Sequence, residues 1–244
     1  MQLYFIRHGQ SLNNLLREQT DDDKDRSEDP ELSDSGQQQA EHLAQFLARF
    51  NSPPPTTAEG EPESLNHFDL THLYASPMVR SMDTAGAIAR RIPLTPVVWE
   101  DLHEIGGIWL YDEATGKPAG LPGRNRAFFE ARYPGFILPE GLDDKGWWNR
   151  PLEPHEERVT RAKRFIKALR EKHGQTDDRV AVVSHGGFYN YLLGALLDIP
   201  ISYPPASVWF ALNNAGITRI DFKAERMIMV YQNRVDFLPP ELVT

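Results

Sequence analysis

Two histidines of this chain stand in the same local setting. Each closes a short apolar run and is followed at once by glycine: Arg7-His8-Gly9 after Gln2 to Ile6, and His185-Gly186-Gly187 after Arg179 to Ser184. Imidazole titrates near neutrality, so a histidine at such a place can serve as nucleophile, proton carrier or neutral hydrogen-bond donor. An isolated histidine is more often structural. Two at equivalent strand ends, each beside a glycine that lets another group come close to the backbone, argue for shared chemistry. His42, His67, His72, His103, His155 and His173 lack that setting and read as structural residues.

The elements that would hold these two residues follow from the apolar pattern. Gln2 to Ile6 and Arg179 to Ser184 read as buried strands, the first placing the N-terminus mid-sheet, and Thr71 to Ala75 and Val97-Val98 read as two further strands. Ser33 is the expected N-cap of a helix whose Ala40, Leu43, Ala44, Phe46 and Leu47 share one face, and Pro77 is expected in the first turn of a helix running to about Arg91. His155 to His173 is amphipathic, with Val159, Ala162, Phe165, Ile166 and Leu169 on one face and Arg, Lys and Glu on the other. Phe188 to Leu197 reads as a helix, and Ile217 to Phe222 and Met227 to Tyr231 as a closing pair of strands. Alternating strand and helix implies a largely parallel sheet covered on both faces, an α/β three-layer sandwich. Ligands of such sheets bind beyond the carboxyl ends of the strands, which is where His8 and His185 lie.

Three segments fall outside this rhythm. Glu18 to Glu31 holds eight acidic and two basic residues and reads as a solvated loop. Asn51 to Asn66, with three consecutive prolines, reads as a surface excursion. Lys117 to Arg150, rich in glycine, proline and paired aromatics, reads as a cap inserted into a single domain spanning residues 1–244.

The segments Phe5-Ile6-Arg7-His8-Gly9-Gln10-Ser11 with Asn14, and Ser184-His185-Gly186-Gly187, resemble the histidine phosphatase superfamily, the phosphoglycerate-mutase-like fold. Leu32-Ser33-Asp34-Ser35-Gly36-Gln37-Gln38-Gln39-Ala40 is similar to that family's Leu-Thr-x-x-Gly-x-x-Gln-Ala helix start. Tyr74-Ala75-Ser76-Pro77-Met78-Val79-Arg80-Ser81-Met82-Asp83-Thr84-Ala85 resembles its Ser-Ser-Pro-x-x-Arg-Ala-x-Gln-Thr-Ala segment, and Leu102-His103-Glu104 follows in family order.

The resemblance implies a phosphomonoesterase acting on small phosphorylated metabolites. His8 would be the nucleophile at phosphorus, its other ring nitrogen fixed by a hydrogen bond for which the Gly9 carbonyl is the expected partner. Arg7 and Arg80 would neutralise the phosphate, and His185 and the Gly186 amide would donate to its oxygens. Asn14, and more weakly Ser11, match phosphate-contacting positions, and Glu104 matches the proton donor. One branch of the superfamily places an Asp directly after the second His-Gly; Gly187 stands there in this chain. His103-Glu104-Ile105-Gly106-Gly107-Ile108 replaces the Asn-Glu-Arg-His-Tyr-Gly run of the mutases, which points to the phosphatase branch. A cofactor-dependent phosphoglycerate mutase and a catalytically silent binding or scaffold relative are the alternatives.

The cap, with six basic and four acidic residues in a chain of net charge −9, is expected either to close over the site and contact the leaving group or to form a satellite core. Arg124, Arg126 and Trp148 are the residues through which substrate contact would act. No cofactor and no metal are expected, since no metal-ligand spacing is apparent and cysteine is absent. The acidic balance disfavours nucleic acid, and no apolar run approaches the roughly 18 residues of a membrane span. The expected partner is a small phosphate ester, with pairing of two copies left open. Cysteine-free composition and a chain that opens directly on a strand suit the cytoplasm.

Overall fold

In the computed structural model, residues 1–21, 25–52, 67–204, 208–223 and 226–244 are described. Most of the Pro-rich excursion and residues 22–24 of the acidic loop lie outside them.

Six strands form one sheet: β1 (Gln2–Arg7), β2 (His72–Ala75), β3 (Val97–Val98), β6 (Arg179–Ser184), β7 (Ile217–Lys223) and β8 (Arg226–Arg234), in the order β3-β2-β6-β1-β7-β8. The first four in that order are parallel, while β7 runs antiparallel to β1 and β8 antiparallel to β7. The N-terminal strand is therefore internal, between β6 and β7, as its unbroken apolar run requires.

Alternation along the strands builds the two outer layers. Tyr4 and Ile6 of β1, with Ala181 and Val183 of β6, face α2 (Asp34–Arg49) and α3 (Val79–Ala89). Leu3 and Phe5, with Val180 and Val182, face α5 (His155–His173) and α6 (Gly186–Leu197). A period of two in the strands thus meets helix faces on both sides, giving the three-layer arrangement.

Ser33 caps α2, its hydroxyl accepting from the Gly36 amide at 3.1 Å. The helix after β2 starts two residues beyond Pro77, with Met78 at the cap position. A helix that the polar composition concealed, α1 (Leu12–Thr20), occupies the start of the expected acidic loop.

The 117–150 segment contains β5 (Pro118–Gly120), which pairs with β4 (Trp109–Tyr111) ahead of it, and α4 (Arg126–Arg132). Phe129, Tyr133, Leu142, Trp147 and Trp148 pack with Met78, Met82, Val98 and Ile108 into a third apolar cluster. The satellite-core expectation describes these aromatics.

Candidate active site

The parallel register of β1 and β6 sets Arg7 opposite Ser184, and the His8 amide donates to the Ser184 carbonyl at 3.0 Å. The two histidines that follow are thereby side by side, with ring centroids 5.0 Å apart and both buried. Backbone proximity fixes the loop after β1. A Cβ on Gly9 would stand 2.4 Å from the Gly36 carbonyl oxygen, and one on Gly36 would stand 2.0 Å from that of Gln10, so two backbones meet where only glycine fits.

His8 is held at both ring nitrogens. Nδ1 donates to the Gly9 carbonyl at 2.6 Å, and Nε2 accepts from Arg80 Nε at 3.1 Å. This places the lone pair on Nε2. Burial, with Arg80 and Arg7 beside it, pulls the imidazole well below its ordinary pKa, so His8 is neutral at pH 7. Burial likewise lowers Arg7 to about 10, still a cation at neutral pH, and lowers Arg80. One Arg7 Nη donates to the Leu212 carbonyl at 2.6 Å, while Nε has no hydrogen-bond partner among the described residues.

His185 is fully buried at the start of α6. Its Nε2 lies 2.8 Å from Ser76 Oγ and 3.3 Å from Ser81 Oγ, and Nδ1 has no partner among the described residues. Burial and then Arg80 and His8 depress its pKa well below the usual value.

Glu104 follows the short 3-10 turn Glu100–Leu102 and reaches the N-terminus of α6. Its carboxylate accepts from the amides of Gly187 at 3.0 Å, Phe188 at 2.8 Å and Ile105 at 2.8 Å. A Cβ at position 187 would stand 2.4 Å from Glu104 Oε1. Glycine after His185-Gly186 and a carboxylate arriving from position 104 are thus one feature.

Ser11 and Asn14 form a reciprocal cap on α1. Ser11 Oγ donates to Asn14 Oδ1 at 3.0 Å and accepts from the Asn14 amide at 3.2 Å. Asn14 Oδ1 also takes the Ser11 amide at 3.1 Å, so Ser11 fixes Asn14 through that oxygen and leaves the side-chain Nδ2 of Asn14 to contact a ligand.

Arg7, His8, Ser11, Asn14, Arg80, Glu104 and Gly186 all line one pocket of about 320 Å³, with His185 immediately behind. Asn13, Arg17, Arg26, Trp109, Tyr203, Trp209 and Phe210 complete its wall. Arg26 stacks on Trp109, 3.7 Å from the ring centroid. Arg124, Arg126 and Trp148 are not among the lining residues: Arg126 binds the Leu142 and Pro139 carbonyls, and Trp148 packs against Gly107 and His103. Of the residues between 109 and 150, Trp109 is the one that meets the pocket.

Three participants escaped sequence reading. Asp29, inside the acidic stretch, is buried; its Oδ1 accepts from the Val79 amide at 3.1 Å and lies 3.7 Å from an Arg80 Nη. Burial raises its carboxyl to about 6 even though Arg80 and the Val79 amide oppose the shift. Arg161 sits on the charged face of α5 yet is buried. It forks onto Glu153 at 2.6 and 2.8 Å and donates to the carbonyls of Asp101 and His103 at 2.8 Å, clamping the turn that carries Glu104. Asn214 donates to the His8 carbonyl at 3.1 Å and to Asn14 Oδ1 at 3.3 Å. Asp29, Arg161 and Asn214 left no trace in composition or spacing.

Comparison with known proteins agrees with this geometry. The family model of the histidine phosphatase superfamily (branch 1) matches residues 3–54 and 56–234. A Hydrogenobacter thermophilus protein named "Putative phosphoserine phosphatase 2" is 26% identical over 171 residues, covering 67% of this chain and 72% of its own. Among solved structures, phosphoserine phosphatase of Entamoeba histolytica in complex with 3-phosphoglyceric acid superimposes with a TM-score of 0.59 at 20% identity, over 98% of this chain and 99% of that one. A mycobacterial glucosyl-3-phosphoglycerate phosphatase complexed with VO3 gives 0.55 at 22% identity, over 96% and 99%. With the family model spanning nearly the whole chain and the fold shared end to end, the protein belongs to the histidine phosphatase superfamily, branch 1.

Proposed function

We propose that the protein is a phosphomonoesterase that hydrolyses small phosphorylated metabolites through a phosphohistidine on His8. The observation that carries this reading is the hydrogen-bonding of His8: Nδ1 on the Gly9 carbonyl and Nε2 facing the Arg80 guanidinium. Such an imidazole is neutral, oriented, and has its nucleophilic lone pair beside a cation suited to phosphate.

In this mechanism the substrate phosphoryl group draws the Arg80 N–H bonds onto its own oxygens, which frees the Nε2 lone pair. His8 Nε2 then attacks phosphorus in line; the N–P bond forms as the ester P–O bond breaks. Arg7 and Arg80 offset the charge on the phosphoryl oxygens. His185 Nδ1, the Gly186 amide and the Asn14 side-chain amide are the neutral donors, His185 carrying its proton on Nδ1 when Ser76 and Ser81 donate to Nε2. Glu104 gives a proton to the leaving oxygen, then takes one from the water that attacks phosphohistidine, releasing inorganic phosphate and restoring His8.

These residues supply nucleophile, charge and proton transfer from protein groups, so we propose turnover without added metal; the cysteine-free composition supports a cytoplasmic location. Relatives are named for phosphoserine and glucosyl-3-phosphoglycerate phosphatase activity, and both of those compounds carry a carboxylate in addition to the phosphate. A pocket of this size, walled by Arg17, Arg26 and Trp109, suits a substrate bearing a second polar or anionic group beside its phosphate.

The test is a panel of phosphomonoesters, including p-nitrophenyl phosphate, phosphoserine and 3-phosphoglycerate, with wild type and His8→Ala, without metal and with 2,3-bisphosphoglycerate in parallel. Phosphate release that falls by at least about 1,000-fold in the variant is expected. Isomerisation of phosphoglycerate without net release would replace the reading with a mutase, and absence of all turnover with a binding role.

A further inference from the structure

The opposite end of the sheet carries a second cluster of titratable groups that the phosphatase chemistry does not use. His72 opens β2, His173 ends α5, and Asp178 directly precedes β6. The six residues of β6 put about 20 Å between this end and His185. Tertiary packing brings the three together across a sequence separation that hides any motif.

Their geometry converges on one point. His173 Nδ1 lies 2.8 Å from one Asp178 carboxylate oxygen, and His72 Nδ1 lies 3.8 Å from the other. The two imidazoles meet edge to face with centroids 4.5 Å apart, and one ligand atom from each of the three residues falls within 4.8 Å of the others. The 3.8 Å separation is too long for a hydrogen bond, so Asp178 and His72 face one another without pairing. His173 is buried, whereas the His72 side chain is 39% exposed, and its Nδ1 lies 2.9 Å from the Thr71 hydroxyl, a contact that an ion held between His72 and Asp178 would replace.

The surroundings suit metal ligation. His173 Nε2 lies 3.0 Å from the Tyr74 hydroxyl, so with Nδ1 given to an ion the Nε2 proton has an oxygen acceptor, the outer hydrogen bond that orients ligating imidazoles. Two imidazoles and one carboxylate, with a position open to solvent beside His72, match the preferences of zinc-class ions and not those of the oxygen-seeking magnesium or calcium.

We propose that His72, His173 and Asp178 bind one divalent transition-metal ion of the zinc class, clamping the C-terminal end of α5 to the amino ends of β2 and β6. The ion is structural and takes no part in phosphate chemistry.

The test uses untagged full-length protein stripped with chelator and titrated calorimetrically with zinc alone. Wild type is expected to bind one ion per chain, with affinity falling as pH drops through the histidine range. His72→Ala and Asp178→Asn should each weaken binding at least about tenfold, while His8→Ala leaves it unchanged. Zinc at about 100 times its Kd should raise the wild-type Tm by roughly 5 °C and leave that of His72→Ala unmoved. Metal-free phosphate release by His72→Ala should equal that of wild type, which separates this proposal from the catalytic one. His72 is half-exposed, so its variant remains decisive even where Asp178→Asn folds poorly. Absence of saturable binding, or binding that His72→Ala leaves unchanged, would overturn the proposal.

Discussion

Asp29→Asn is the perturbation whose size follows most directly from the structure. The Asp29 carboxylate is 2% exposed, faces Arg80 at 3.7 Å, and has one oxygen bound to the Val79 amide and the other without a partner among the described residues. Burial raises this carboxyl from 3.8 to about 6. The folded protein therefore holds the proton more tightly than the unfolded chain does. The stability contributed by that proton is complete below about pH 3.8 and is lost as pH rises to about 6, after which it stays lost. At 1.36 kcal/mol per pH unit, the swing is about 3 kcal/mol. Asparagine keeps the oxygen that accepts from Val79 and removes the titration. Urea unfolding of both proteins at several pH values is the assay. The wild-type advantage over Asp29→Asn should shrink by about 3 kcal/mol between about pH 4 and pH 7. Above pH 6, with one anion fewer beside Arg80, inorganic phosphate should inhibit the variant more strongly than wild type. A difference in stability that is flat with pH would refute the reasoning, because it would mean that Arg80 fully offsets the cost of burying the charge.

Other consequences can be measured alongside. Arg161→Met leaves Glu153 buried without its partner and should cost about 3 to 5 kcal/mol in urea unfolding, with a lower kcat as the turn holding Glu104 loosens. Gly187→Ala forces its methyl to within 2.4 Å of the Glu104 carboxylate; kcat should drop about tenfold or more while the Tm changes little, a split that global unfolding would not give. Trp109→Ala removes the aromatic face beneath Arg26, so KM for phosphoserine should rise more than KM for p-nitrophenyl phosphate.

The framework was legible because its signals are local. Strand runs such as Arg179 to Ser184 carry apolar residues that serve both faces, Ser33 stands where a cap is needed, and Gly9 after His8 and Gly187 two residues after His185 mark close approaches, whereas Gly186 has ordinary room for a Cβ. What escaped depends on folding. Asp29 belongs to a stretch whose composition suits a solvated loop, and its burial arises only when that loop lies against the start of α3. Arg161 falls among the charges of α5, indistinguishable by spacing from its solvated neighbours, yet its position turns it under Glu104's loop. The pocket wall also eluded the pattern, since Tyr203, Trp209 and Phe210 come from the segment after α6 and not from the aromatic cap.

The central claim is that His8 Nε2 accepts the phosphoryl group. Mixing the protein with phosphorus-labelled p-nitrophenyl phosphate, quenching within the first turnovers, and mapping the label tests it directly. The account expects one acid-labile, base-stable phosphoryl group on His8, formed no more slowly than steady-state release and absent from His8→Ala. Phosphate release by wild type with no such adduct, or label carried on a residue other than His8, would contradict it.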